Sequence, residues 1–307
     1  MVKGIYKLMK KVFAILIFLS LLPIVSAETN KPTEVLVGIY VLHVGRFDVS
    51  TGSYTVDFYL SLKCSEPCSP DKFEFMNGRA TSIEKLIDKP NEKFYRIQAS
   101  LSQNIDLKKY PFDKHSLTIE IEDKEKTIKD LVYKYDDKNS GIDPSVIIVG
   151  WQLDGWDAEV KEHYYSVYDE TYSRFIFRIN ISRVALTSIF KSLLPVFFMV
   201  FVSLLTLLLT SDKVTMRLSL NISTLLASVM FHLNLTSSIP PVGYLTFADK
   251  FMISTYLILV SVLFSGILLM KYSDRKDHLK AEKIYKYSLI SLPIISAFLY
   301  ILVFLSM

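Results

Sequence analysis

The residues best placed to do chemistry lie on one apolar segment beyond the middle of the chain. Ser219, Ser223, Leu226, Met230, Leu233 and Ser237 recur at intervals of four and three, so a helix through them carries all six on one face. Hydroxyls stand at its start, bulky apolar groups in its middle and a hydroxyl at its end. Several copies of such a helix around an axis would enclose a polar passage with an apolar constriction, which can lose its water and shut. The opposite face is itself polar, with Arg217, Asn221, Thr224, Ser228 and His232. Polar side chains inside a membrane turn toward a bundle interior or toward water. The helical wheel alone does not choose between the two faces.

A second candidate is the run His163-Tyr164-Tyr165-Ser166-Val167-Tyr168-Asp169-Glu170-Thr171-Tyr172. Its tyrosines, with Tyr133 and Tyr135 from one neighbouring stretch and Phe75 from another, could build an aromatic box for a cation. Tyrosines are also common in exposed hairpins, and Asp169 and Glu170 at the tip could titrate instead. Cys64 and Cys68 can close a tight loop around Ser65-Glu66-Pro67 in an oxidising compartment. As metal ligands one such pair is too few. His43, His115, His163, His232 and His278 are scattered without metal-ligand spacing, and no nucleophile elbow, H-E-x-x-H or phosphate loop occurs. No enzyme, metal or cofactor is expected.

These residues need elements to hold them. Half of the 307 residues are hydrophobic and the mean hydropathy is positive, which exceeds ordinary soluble composition. Four lysines in Met1–Lys11, an apolar run Val12–Val25 and Ser26-Ala27 read as a secretory signal peptide over residues 1–27. Residues 28–183 are rich in charge and alternate with period two, as in Tyr95, Ile97, Ala99, Leu101, then Leu117, Ile119, Ile121, and later Phe175, Phe177, Ile179, Ile181. Turn signals such as Asn77-Gly78 and Lys89-Pro90-Asn91 separate these runs. The pattern predicts an antiparallel β-sandwich.

Residues 184–307 hold four apolar stretches long enough to cross about 30 Å of hydrocarbon, at about 187–209, 216–237, 251–270 and 288–307. The fold class is therefore an α+β membrane protein, a sandwich followed by a four-helix transmembrane bundle. The third link, Lys271 to Lys286, holds six Lys or Arg and is expected on the cytoplasmic side. The sandwich and the C-terminus then share the outer side, as export by the leader also requires. The excess charge of +4 is accounted for by lysines flanking membrane segments, so no nucleic-acid surface is expected.

Tyr110-Pro111-Phe112-Asp113, preceded by Asp106-Leu107, resembles the loop signature of the pentameric ligand-gated ion channels, the Cys-loop receptor family. So do Arg183 before the first span, Pro195 within it, Arg217 opening the second, and Ile239-Pro240 closing it with Tyr244 beyond. The resemblance implies a homopentamer, four further copies of the chain being its partners along with the lipid bilayer. It implies that Leu226 is the gate, that Ser219 and Ser223 form inner hydroxyl rings, and that the face carrying Ser228 and His232 packs against other helices. It pairs Asp113 with Arg183 at the boundary between sandwich and membrane, with Pro111 and Pro240 in the same coupling region. It places a ligand site between subunits, behind the hairpin at residues 163–172.

Gln103 and Leu117 flank the loop signature where cysteines would stand in many members, which resembles the prokaryotic branch. A prokaryotic plasma membrane is the expected location. Thr215-Met216 matches neither the glutamate of cation-selective members nor the Pro-Ala of anion-selective ones, and prokaryotic precedent points to cations. The expectation is a channel opened by an unknown small molecule or by protons and conducting inorganic ions. The alternatives are a membrane-anchored sensor that does not conduct and an exported enzyme with a membrane tail.

Overall fold

The computed structural model describes residues 31–306. The expected signal peptide lies outside them. Ten strands come first: β1 (Thr33–Val44), β2 (Ser53–Cys64), β3 (Phe73–Phe75), β4 (Gly78–Lys89), β5 (Glu92–Ser102), β6 (Lys114–Asp123), β7 (Leu131–Tyr135), β8 (Gly141–Ile142), β9 (Trp151–Tyr165) and β10 (Glu170–Arg183). They form a six-stranded sheet in the order β4-β5-β2-β1-β7, with β8 also on β1, and a four-stranded sheet in the order β3-β6-β10-β9. The alternating residues of the sequence runs face inward: Ile97, Leu101, Leu117, Ile119, Phe175 and Phe177 are buried in one core with Val37, Phe58 and Leu60. Each such side chain contributes roughly 1.5 to 3 kcal/mol by leaving water.

The larger sheet is not purely antiparallel, because β7 and β8 both pair with β1 in parallel. A tight hairpin forces antiparallel neighbours, but β7 arrives from the other sheet and its direction is set by that crossing. Periodicity reports which face is buried and is blind to strand direction.

Four helices follow: α1 (Ala185–Leu208), α2 (Val214–Thr236), α3 (Phe247–Asp274) and α4 (His278–Leu305), each long and apolar enough to cross a membrane. Within α1 the turn Ile189–Leu193 is π-helical, directly ahead of Pro195. A proline ring crowds the carbonyl four residues back, here that of Lys191, and a widened turn relieves it. The basic third link expected as a loop is instead mostly helical, and α3 and α4 are separated only by residues 275–277. Lys and Arg are good helix formers, and the Asp277 carboxylate caps α4 by accepting from the Lys280 amide. The ends of hydropathy therefore did not mark the ends of the helices.

Candidate pore face, joint and ligand pocket

The signature loop, residues 103–113, leaves β5 and returns as β6. Its carbonyls at Lys108 and Tyr110 accept from the amides of Phe247 and Ala248 at 2.8 and 3.0 Å. Those amides open α3 and have no partner inside the helix, so a loop of the sandwich completes a membrane-spanning element. The Thr246 hydroxyl and Asp249 carboxylate close a capping box over the same turn. Leu107 and Tyr110 pack on Leu235 and Ala248, and the Tyr110 and Ser238 hydroxyls are 2.9 Å apart. Pro240 is only half-buried, and its neighbours Ile239 and Val242 make the apolar contacts with this cluster. Pro111 lines an adjacent cavity.

Asp113 lies at the inner edge of this joint, 1% exposed. One carboxylate oxygen accepts from Arg183 Nε at 2.7 Å, and the other pairs with His115 Nε2 at 2.7 Å. The Arg183 guanidinium lies over the rings of Trp151 and Tyr110, 4.6 and 5.0 Å from their centres. Burial alone favours the neutral acid. The His115 hydrogen bond and the Arg183 charge outweigh it and hold the carboxyl below its ordinary value. The joint is thus ionic, desolvated and bonded on both oxygens.

All six residues of the hydroxyl and apolar stripe on α2 are exposed, Leu226 at 64%. Arg217, Asn221 and Ser228, on the other face, are turned into the bundle. Asn221 accepts from the Ser203 hydroxyl at 2.6 Å and donates to the Thr206 hydroxyl at 3.0 Å and to the Arg217 carbonyl at 2.9 Å. Arg217 donates to the Ser265 hydroxyl at 2.6 Å. His232 lies between the Tyr256 hydroxyl at 3.0 Å and Asp249 at 3.2 Å. A polar group in hydrocarbon costs several kcal/mol unless bonded; helices α1 and α3 supply bonds to Asn221, His232 and one nitrogen of Arg217, whose Nε and Nη1 are buried without a partner among the described residues. Along the stripe, Ser219 and Ser223 bond back to carbonyls of their own helix.

At the hairpin between β9 and β10, Tyr165, Tyr168 and Tyr172 line a pocket of about 240 Å³ together with Glu74, Glu122, Asp123 and Lys124. The other proposed box residues lie elsewhere. Tyr133 is buried in the sandwich, where burial pushes its phenol up. Tyr135 donates to Asp137, Tyr164 donates to Asp169 at the exposed tip, and Phe75 packs edge-on against Phe58 and Phe73.

The carboxylates of this pocket are brought together by strand pairing, which the sequence pattern does not reveal. Glu74 and Glu122 stand opposite each other in register, an arrangement that is unfavourable for like charges. Arg174 and the Tyr165 hydroxyl bind Glu122 at 2.5 and 2.9 Å, which compensates one carboxylate and leaves Glu74 exposed at the rim. Cys64 and Cys68 are bonded to each other at the end of β2, away from this pocket. Among the described residues no group of His, Cys, Asp and Glu could hold a metal ion.

No protein-family model matches the chain. Among curated proteins it is similar to a proton-gated ion channel of Gloeobacter violaceus, 22% identical over 254 residues that cover 74% of this chain and 70% of the relative. It is also similar to the theta subunit of the gamma-aminobutyric acid receptor of Mus musculus, 20% identical over 193 residues, 61% of this chain and 30% of the relative. One relative is an ion channel and the other a receptor subunit, in keeping with the resemblance carried by the signature loop and the span motifs.

Proposed function

We infer that this chain, a relative of the pentameric ligand-gated ion channels, is one subunit of a homopentamer whose five α2 helices line an ion pore. The observation that carries this reading is the asymmetry of α2. Its polar back face is turned into the subunit, where Asn221, His232 and one nitrogen of Arg217 are bonded, while Ser219, Ser223, Leu226, Met230, Leu233 and Ser237 are left exposed. One amphipathic span cannot enclose water, and a closed ring of identical copies can. At the level of Leu226 the ring presents only apolar surface, so a narrow passage empties and an ion cannot keep its hydration.

Opening begins at the pocket of Tyr165, Tyr168, Tyr172, Glu74, Glu122, Asp123 and Lys124, whose aromatic faces and excess of carboxylates over the one lysine suit a small cation such as an amine. Protons acting on the same carboxylates are the other stimulus. β10 runs from this hairpin to Arg183, so a shift of the strand reaches Asp113, the signature loop and the start of α3 through bonded contacts. Cations are the expected permeant ions on prokaryotic precedent. The sandwich and C-terminus face outward and the basic turn between α3 and α4 faces the cytoplasm.

Purified protein in liposomes, assayed for ion flux across pH values and a panel of amines, tests the reading. Binding of an amine without flux would favour the second reading, a membrane-anchored sensor. A stable monomer or dimer by native mass spectrometry in mild detergent would overturn the pentamer.

A further inference from the structure

We propose that the cavity at the sandwich end of α1 and α2 binds the phosphate of an anionic membrane phospholipid, held between Lys191 and Arg183. The cavity measures about 440 Å³ and is lined by both cations and by the polar side chains of Thr187, Ser188, Asn234 and Ser238. Among the described residues that line it there is no carboxylate. The Lys191 ammonium and the guanidinium nitrogens that Arg183 does not spend on Asp113, with amide and hydroxyl donors and no acid on the wall, make a site for an anion, not for a cation or an amine.

Lys191 is the only charged residue of α1. It lies six steps into the helix, about 9 Å at about 1.5 Å per residue, where an ionisable group needs a reason to be present. It is exposed and takes part in none of the ion pairs among the described residues. The π-helical turn ahead of Pro195 carries it at the cavity wall. A lysine stem of this length lies along apolar surface while its ammonium rises to the headgroup level. Arg183 spends Nε on Asp113, and its remaining guanidinium nitrogens have no protein acceptor among the described residues.

A lipid fits better than free phosphate because the surface continuing along α1 is apolar. Phe190, Phe197, Phe198 and Phe201 are exposed there, ready to meet acyl chains. Because Arg183 would touch both the phosphate and Asp113, the lipid would act directly on the joint. The proposal rests on the four spans and not on the channel reading.

The test uses the full chain in nanodiscs of phosphatidylcholine alone or mixed with phosphatidylglycerol, with retained lipid counted by native mass spectrometry. Wild type and Lys191→Arg are expected to retain phosphatidylglycerol, and Lys191→Gln to retain about fivefold less. Phosphatidylcholine retention should not differ among the three. A second arm measures protection of Lys191 from an amine-acetylating reagent. If inorganic phosphate in phosphatidylcholine discs protects as well as phosphatidylglycerol does, the site is one for the free anion and the lipid assignment fails. Equal phosphatidylglycerol retention by wild type and Lys191→Gln also overturns it. So does a Lys191→Gln protein that loses its oligomer with lipid retention unchanged, which would make Lys191 the partner of an acid on a neighbouring copy.

Discussion

Arg183 and Asp113 meet twice, through Nε to the carboxylate at 2.7 Å and through the Arg183 amide to the Asp113 carbonyl at 3.2 Å. The side-chain bond joins unequal partners, since Asp113 is sealed while about a quarter of the Arg183 side chain is exposed. Arg183→Ala strands a buried carboxylate, a loss of about 3 to 5 kcal/mol. Asp113→Ala strands a guanidinium that keeps water and two aromatic faces, and should cost less. Thermal melts of both variants beside Lys138→Ala, which should be near neutral, would show the order. Equal, small losses in all three would remove the joint's energetic role.

The pH dependence follows from the same carboxylate. Its folded value is depressed, so it contributes stability that is complete above the unfolded value of about 4 and is lost as pH falls through the lower folded value. Stability should therefore decline below about pH 4, and Asp113→Asn should flatten that decline. Asp113 would then not be the group that answers mild acid. A wild-type melting profile flat down to pH 2 would contradict this.

Leu226 can be tested by wetting. Leu226→Ser replaces the apolar ring with hydroxyls and should raise resting flux or lower the stimulus needed, whereas Ser228→Ala, buried and bonded to its own helix, should mainly perturb packing. Charged thiol reagents should block open channels carrying Ser223→Cys and react poorly with Ser228→Cys. The reverse pattern of access would assign the pore to the other face.

For the hairpin pocket, removing the exposed rim charge by Glu74→Gln should weaken an amine stimulus about fivefold, the scale of one partly exposed charge pair. Tyr164→Phe, whose hydroxyl is occupied by Asp169 at the tip, should leave it unchanged. Dose-response curves for flux would separate them, and an unchanged Glu74→Gln curve would place the cation elsewhere.

Local chemistry in the sequence was enough for the strands of the sandwich, the four spans, the signature loop and the two faces of α2. Period two and uninterrupted hydropathy are properties of neighbouring residues. The choice between the faces of α2 was not local. Arg217 and Asn221 turn inward because Ser203, Thr206 and Ser265, from two other helices, stand where they can bond. The acidic wall of the hairpin pocket was hidden for the same reason, since Glu74 and Glu122 are 48 positions apart and become neighbours only through strand register. Parallel pairing of β7 with β1 and the capping of α3 by Lys108 and Tyr110 are likewise contacts across the fold. A polar group buried away from water must find a partner, and which partner is within reach is a property of the packed chain.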